Sequence, residues 1–402
     1  MTHGEAMKVI SALLFFVFSL VCADAETSDQ ESVDPTKVPL PKITPPTDAD
    51  YQNALTRGVD FLIADQNKDG SWGSATRTKG LNIYAPIPEA HLAFRSGASG
   101  LALAGLIDSG DRRPETRAAI EKAEKWFFAE LPKLRQIDPT TSYNVWGHSY
   151  GLHALCALHR YYNGDAEKSA ALKKLAATQI TALQKIEQLD GGWGYLDLDD
   201  QITAKPSGTT TCFTTATVLL ALHETKKTFG LNLPEREVKR ALRSLEQQRT
   251  PDWAFVYSLS HIKRPRYPIN RPAGSLGRSP ACGTAMRKFG DDRVTDELVA
   301  SWLHRLVLRE GWFALARKRP KPHDIHFSIS GYFYYYAFYY ASEALEFLPK
   351  SEQETYAPQL AHHLLAKQEK DGSWWDYPLY DYHQPYGTGY ALTTLSRLRA
   401  LK

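Results

Sequence analysis

The hydrophobic and polar positions of this chain alternate between two kinds of helical segment. In the first kind, apolar residues recur every three or four positions, so that one face is apolar and the opposite face is polar. Across a connection, each such segment is followed by a run that is apolar or small on nearly all sides. Because a helix that is apolar all round is typically buried, the pattern predicts six pairs of an outer and an inner helix. The outer helices are predicted at 51–66, 115–131, 168–188, 235–248, 295–310 and 352–369, and the inner helices at 96–107, 148–162, 212–222, 280–289, 329–347 and 387–401.

A tryptophan marks the connection within each pair. These six tryptophans lie 74, 47, 60, 59 and 62 positions apart, and self-similarity on that scale is typical of an array of supersecondary units. Three stand in nearly the same phrase: QNKDGSW at 66–72, QLDGGW at 188–193 and QEKDGSW at 368–374. The glycine of such a turn ends a helix because it adopts positive φ without strain. We therefore interpret the following as structural repeat residues: Gln66, Trp72, Trp146, Gln188, Trp193, Trp253, Trp312, Gln368 and Trp374.

Six such pairs can close into a ring, which is an all-α fold known as an α6/α6 toroid or barrel. We predict one toroid domain over residues 48–402. The three phrases resemble the QW repeats of squalene–hopene cyclases, which protein prenyltransferase β subunits share more loosely. The resemblance extends over residues 50–402 and implies a terpenoid cyclase/prenyltransferase-like toroid.

The acid motif of the cyclases does not stand in the expected context. The resemblance implies an Asp-x-Asp-Asp-Thr-Ala phrase at the head of an inner helix. In this chain the Thr-Ala pair at such a position is 215–216. The three positions that hold aspartate in the motif are occupied by Thr211, Phe213 and Thr214. The tetrad at 197–200, with Asp197, Asp199 and Asp200, follows a repeat tryptophan instead. We interpret these aspartates as capping or solvating a loop, or as oxygen ligands for a cation such as calcium.

The zinc motif of the prenyltransferases is also incomplete. It needs an aspartate two residues before a cysteine, whereas Thr210 and Pro280 precede Cys212 and Cys282 at that position. A different zinc site formed by Cys212, Cys282 and His148 stays open, because thiolate and imidazole suit zinc. Buried cysteines are also common packing residues, so we expect no metal and no other cofactor.

The N-terminal segment has the features of an export signal. Residues 1–25 contain an apolar run at 9–21, which is too short to span a bilayer, and a small-x-small site that ends at Ala25. We expect translation to start at Met7 and the mature protein to be secreted or periplasmic, without a transmembrane span. A lipoprotein signal centred on Cys22 is the alternative.

The remaining composition excludes some partners. Residues 26–47 contain five prolines and are predicted to form an extended linker. Removal of residues 1–25 changes the formal net charge from +3 to +4, since two acidic residues and one basic residue are lost. This charge is too small to favour nucleic acid as a partner. Three cysteines remain, which gives no disulfide framework.

The connections from outer to inner helices indicate where a ligand would bind. In a ring of helix pairs they emerge at one end, together with the N-termini of the inner helices, which favour anions. Two adjacent connections are basic, and we predict Arg271, Arg278 and Arg319 as an anion-binding rim. The alternative is a solvated basic face.

One inner helix carries aromatic rings on all faces, at 332–340. Candidate catalytic residues, chosen by position alone, are His323, His326, Tyr332, Tyr336, His148, Asp381 and His383.

Two classes of function follow from this reading. The first is an exported protein that binds an apolar, glycan or anionic ligand in the central cavity; it includes an active terpenoid cyclase-type enzyme or a polysaccharide-acting α6/α6 enzyme. The second is a non-catalytic scaffold that binds another protein through its mouth. We expect a cyclase-like binding or enzymatic protein that has lost or replaced the family chemistry.

Overall fold

The structure, a computed structural model, describes residues 37–80, 83, 85, 88–134, 143–195, 209–324 and 326–402. The predicted signal segment, residues 26–36 of the predicted linker and the aspartates at 197–200 lie outside the described residues. The chain divides into two units, Met1–Pro39 and Leu40–Lys402. The second unit contains the α-helices of the described residues.

Helices account for the regular structure of the described residues, apart from two isolated β-bridges. The six outer helices are α1 (Asp48–Asp65), α3 (Pro114–Glu130), α5 (Ala166–Lys185), α7 (Glu235–Gln248), α9 (Asp296–Leu308) and α12 (Lys350–Leu365). The six inner helices are α2 (Pro88–Asp108), α4 (Asn144–Tyr161), α6 (Cys212–Phe229), α8 (Ser279–Lys288), α11 (Tyr334–Ala344) and α13 (His383–Ala400). A short helix, α10 (Glu310–Ala314), follows α9. None of the described helices is long and apolar enough to cross a bilayer.

The inner helices form a closed ring. Each packs against the next in the order α2, α4, α6, α8, α11 and α13, and α13 packs against α2. Each outer helix packs on the inner helix of the preceding pair, with α1 on α13, and α1, α5, α7 and α12 also pack on the inner helix of their own pair. The predicted all-α toroid of six helix pairs is confirmed. The ring explains the all-round apolar pattern of the inner helices, since each has neighbours on both sides and an outer helix behind it.

Three repeat tryptophans have the same hydrogen bonds. The indole N–H of Trp72, Trp193 and Trp374 donates to the carbonyl of Leu62, Leu183 and Leu364, at 2.7, 2.8 and 2.9 Å. Their backbone N–H groups donate to Ser99, Thr215 and Thr388, which lie on the inner helix of the same pair, at 2.9, 3.0 and 3.0 Å. Each tryptophan thus ties the end of an outer helix to its inner helix.

The repeat glutamines connect neighbouring pairs. Gln66 donates to the carbonyl of Ala119 on the next outer helix, at 2.9 Å. Gln368 makes the equivalent bond to Ala54 on α1, also at 2.9 Å, and Arg57 of α1 donates back to the Gln368 side chain at 3.0 Å. The last repeat is therefore hydrogen-bonded to the first repeat. The same glutamine bond that joins neighbouring repeats also closes the ring.

The other three tryptophans do not share this role. Trp146 lies in the first turn of α4 and is partly buried. Trp253 has a positive φ of 57° and stacks under the Arg249 guanidinium, 4.4 Å from the ring centroid. Trp312 on α10 is 50% exposed. Recurrence of a tryptophan therefore located the connections, but only the full glutamine-to-tryptophan phrase specified the buried brace.

Candidate functional site

The N-terminal halves of the inner helices enclose a cavity of about 390 Å³, here called the mouth cavity. Its lining is dominated by aromatic rings. From inner helices come Phe94, Trp146, Tyr150, Phe213, Tyr336, Tyr386 and Tyr390; from the connections come Tyr143, Tyr195, Tyr257, Tyr332, Phe333, Tyr377 and Tyr382. None of the described lining residues is Asp, Glu, Lys or Arg. The volume is in the usual range for small-molecule sites, which run from about 300 to 1,000 Å³.

Most tyrosine hydroxyls of this cavity are bonded to its walls. Tyr336 donates to the carbonyl of Phe213 at 2.9 Å, and Tyr377 donates to the carbonyl of Pro320 at 2.9 Å. The hydroxyls of Tyr150 and Tyr390 bond to each other across the floor. Because the polar ends of the rings are satisfied by the protein, the cavity presents mainly ring faces and edges to a ligand.

A polar chain runs along one side of the cavity, through His323, Tyr332 and Tyr257. The Nδ1 atom of His323 lies 2.7 Å from the Ser328 carbonyl, so it carries the proton and leaves Nε2 to accept from Tyr332 at 3.1 Å. Tyr332 lies 3.2 Å from the Tyr257 hydroxyl. Burial lowers the pKa of His323 to about 4, so the ring is neutral near pH 7.

One carboxylate stands directly behind the wall. Asp376 is fully buried and accepts from the hydroxyl of Tyr386, which lines the cavity, and from the backbone N–H of Tyr335 at 3.0 Å. Burial raises the pKa of Asp376 to about 6. The carboxylate thus does not line the cavity and is separated from it by the phenol of Tyr386.

The structure brings three predicted site residues together and separates the others. His323, Tyr332 and Tyr336 line the mouth cavity. His326 is exposed and its ring contacts Phe327, with centroids 4.8 Å apart. The sequence places His326 in a connection, but the direction of the backbone decides on which side of the loop its side chain lies.

The remaining catalytic candidates do not line the mouth cavity. His148 is buried between α4 and α5, with Nδ1 2.7 Å from Gln179, and burial lowers its pKa to about 4. His383 is buried against Trp375, with centroids 5.1 Å apart. Asp381 accepts from Ser74 at 3.1 Å, and burial raises its pKa. None of the three is among the residues that line the mouth cavity.

The three predicted rim arginines differ in exposure. Arg271 and Arg319 are exposed, and each donates through Nε to a carbonyl of its own loop, at 3.1 and 2.7 Å. Arg278 is fully buried and donates to the carbonyls of Phe255, Gly274 and Ile269. It ties the long connection before α8 together and is not placed on the rim.

The described residues hold no cluster of three or more metal-ligating side chains. Cys212 and Cys282 are buried neighbours at the starts of α6 and α8, whereas the imidazole of His148 is directed at Gln179 on an outer helix. The open zinc alternative therefore lacks its third ligand. The two thiols contact each other and the Arg278 side chain instead.

Several residues of the site were not selected from the sequence. Trp146 was interpreted as a structural repeat residue, but its ring stacks on Tyr150 and Phe213 in the cavity wall, at 5.9 and 6.0 Å. Tyr386 and Asp376 were also missed. The available signal was the concentration of aromatic residues in the first turns of several inner helices, because those turns meet at the mouth of the ring.

The comparisons with known proteins identify the fold. No protein-family profile matches the sequence, and no curated protein is significantly similar to it. The chain is similar in structure to the GH76A α-1,6-mannanase of Salegentibacter sp. HEL1_6, with a TM-score of 0.54, 9% identity, and 88% of this chain and 100% of that chain covered. A possible GH105 member from Klebsiella pneumoniae subsp. pneumoniae MGH 78578 has a TM-score of 0.51, 12% identity and coverages of 90% and 96%.

The type II terpene cyclase MstE from Scytonema has a TM-score of 0.47, 12% identity, and coverages of 89% of this chain and 99% of that chain. At such identities, the similarity to the glycosidase structures shows the α/α toroid alone. Because one fold hosts many unrelated functions, the side chains of the cavity determine what the protein does.

Proposed function

We propose that the mouth cavity binds an uncharged, largely apolar ligand of terpenoid character. The observation that carries the proposal is the orientation of the tyrosines, whose hydroxyls are bonded to the walls while their rings face the space. Transfer of apolar ligand surface from water into such a cavity is favourable by about 25 cal/mol per Å² of surface buried. A charged ligand would find no opposite charge among the described lining residues.

Binding, and not acid catalysis, is the activity that these residues support. An acid that starts a cyclisation must reach the substrate, and Asp376 is screened from the space by Tyr386. With a pKa of about 6, the Asp376 carboxyl is largely ionised near pH 7 and has no proton to donate. A phenol with a pKa raised well above 10, as burial makes that of Tyr386, is a weak proton donor.

Intrinsic fluorescence tests the proposal, because the Trp146 ring lies in the cavity wall. Farnesol and cholesterol are titrated into the protein, with α-1,6-mannotriose as the glycan probe. We expect a saturable change with an isoprenoid that is lost in Trp146→Phe, while calorimetry still detects binding by that variant. Saturable binding of mannotriose alone would favour the polysaccharide class instead.

A variant that fills the cavity gives an independent test. Ala98 on α2 lines the space, so Ala98→Phe places a ring where the ligand would lie and should weaken isoprenoid binding by at least about tenfold. Ala118→Phe, at an exposed position on α3, is the matched control and should bind normally. Equal affinities of the two variants would contradict the proposed location.

Export remains part of the proposal. It rests on the apolar run and small-x-small site in residues 1–25, and it requires that the mature chain begins at Glu26. Mass spectrometry of the protein recovered from the periplasm or medium measures this directly. Recovery from the cytoplasm with an intact N-terminus would contradict export.

A further inference from the structure

A second cavity opens at the opposite end of the ring. It measures about 350 Å³, lies between the C-terminal halves of α4, α6, α11 and α13, and is here called the rear cavity. Tyr150 borders both cavities, and its hydroxyl bond to Tyr390 lies in the partition between them. The two spaces have opposite chemistry, since the rear cavity is lined by charged side chains as well as aromatic rings.

The centre of the rear cavity is an ordered polar chain across the ring. Glu224 of α6 lies 2.7 Å from Nδ1 of His153 on α4. Nε2 of the same ring lies 3.0 Å from the hydroxyl of Tyr339 on α11. Because the carboxylate accepts the Nδ1 proton, Nε2 accepts from Tyr339. The phenol oxygen accepts from Arg397 at 3.4 Å and keeps a second lone pair for a further donor.

The charges of the rear cavity are largely balanced within the protein. Arg160 bonds to Glu224 at 2.8 Å, and Lys288 contacts both Glu343, at 3.2 Å, and Glu346. Arg397 lies 3.8 Å from Glu343 and covers the Tyr339 ring at 4.5 Å. Lys227 is exposed at the edge, where water screens its charge. Such a site has little excess charge for an ion but many strong hydrogen-bonding groups.

Two further features favour a ligand that carries hydroxyl groups. Ser149 lines the cavity and is fully buried, and its hydroxyl has no hydrogen-bond partner in the described structure. A buried hydroxyl without a protein partner is normally satisfied by water or by a ligand. The inner helices also end here, so that their last carbonyls accept hydrogen bonds and disfavour an anion.

We propose that the rear cavity is a second binding site, for an uncharged polyhydroxyl ligand of the size of a mono- or disaccharide. Carboxylate and guanidinium groups held in ion pairs bond strongly to hydroxyls, and the rings of Tyr339 and Tyr340 provide apolar contacts for a sugar face. The site binds without hydrolysing, because Glu224 is held as a carboxylate by His153 and Arg160 and has no proton to give to a leaving group.

Calorimetry of the full-length protein tests this site with methyl α-D-mannopyranoside, methyl β-D-glucopyranoside and maltose. We expect one of them to bind with a stoichiometry of one, and Ser149→Ala and Tyr339→Phe each to weaken it by about tenfold. Ser301→Ala is the matched control. Ser301 lies on the outer helix α9, is not among the residues that line the rear cavity, and donates its hydroxyl to the Leu298 carbonyl of its own helix at 2.7 Å, so its loss should leave the affinity unchanged.

Soaking the bound sugar into crystals of the unsubstituted protein locates it without relying on variants. A sugar between α4 and α11, close to Ser149 and Tyr339, is the expected result. The proposal is overturned if no sugar binds, if the sugar lies in the mouth cavity, or if glutamate or spermidine binds in its place. An equal loss of affinity in Ser301→Ala would overturn it as well. Because the two sites are separate, failure here leaves the isoprenoid tests of the mouth cavity unaffected.

Discussion

Trp72 stabilises the fold in two ways, since its indole is fully buried and the indole N–H donates to the Leu62 carbonyl at 2.7 Å. Trp72→Phe removes the donor and part of the ring volume. We expect it to lower the free energy of unfolding by about 2–3 kcal/mol. Urea unfolding measures this. Trp312→Phe, at a half-exposed position, is the control and should change stability by less than about 0.5 kcal/mol.

The buried carboxyl group of Asp376 is expected to make the stability of the protein depend on pH. Its pKa is about 6 in the folded protein and near 3.8 in the unfolded chain, so the folded state binds more protons between these values. Stability therefore falls as pH rises from about 4 to about 6, by about 3 kcal/mol from this group alone. Asp376→Asn removes the titration and should flatten the stability curve in this window, as measured by urea unfolding at several pH values. A variant curve parallel to that of the unsubstituted protein would contradict the assignment.

At the scale of single residues, the sequence identified the structural residues better than the functional ones. Gln66, Trp72 and Gln368 bond within their own turn phrases or to the adjoining helices, so their contacts involve segments that the sequence pattern already delimits. Arg278 was expected on the rim and is buried among backbone carbonyls. Its charge is visible in the sequence, but the path of the connection that surrounds it is not.

Among the elements, the turns of the three full repeat phrases each contain a glycine with positive φ, at Gly70, Gly191 and Gly372. Gly372 has a φ of 91°, and a Cβ atom there would lie 2.4 Å from the Arg57 carbonyl of α1. Gly164 has nearly the same φ, 92°, with nothing within 4 Å of a Cβ atom. We expect Gly164→Ala to cost about 1 kcal/mol from backbone strain and Gly372→Ala to cost clearly more, because α1 must also move. Thermal unfolding compares the two, and equal losses would show that the repeat contact contributes nothing.

Helix boundaries show where sequence patterns lose information. The outer helices were predicted to run through Gln66 and Gln188, but they end at Asp65 and Lys185. The chain leaves the helix there because the backbone N–H of Gln188 bonds forward to the Gly192 carbonyl at 2.8 Å, inside the turn. A side chain that braces the next helix still fits the amphipathic pattern, so periodicity alone extends the helix too far.

For the molecule as a whole, closure of the ring brings the ends of the toroid together. Lys402 bonds to Asp48 at 2.8 Å and to the Pro46 carbonyl at 3.2 Å. A circular permutant that joins Lys402 to Asp48 through a short Gly-Ser linker, with new termini at Gly164, should therefore keep the cooperative unfolding of the parent. Circular dichroism with urea unfolding measures this.

A truncated chain that lacks residues 383–402 is the control for that experiment. It removes α13, so that α2 and α11 each lose a neighbour in the ring. We expect it to lose cooperative unfolding, since the apolar faces of both helices become exposed. If the truncated chain unfolded as cooperatively as the parent, closure would not be a requirement of the fold.

The sequence by itself determined the number of repeats, the helix pairs, their inner and outer order and the brace made by the Gln-to-Trp phrase. These features rest on periodicity and turn chemistry, which act over a few residues. Only the tertiary structure decided that tyrosines from five of the six repeats meet in one cavity with their hydroxyls in the walls, and that Glu224, His153 and Tyr339 form a chain across the opposite end. Such contacts join residues far apart in sequence, and their geometry depends on how the ring closes.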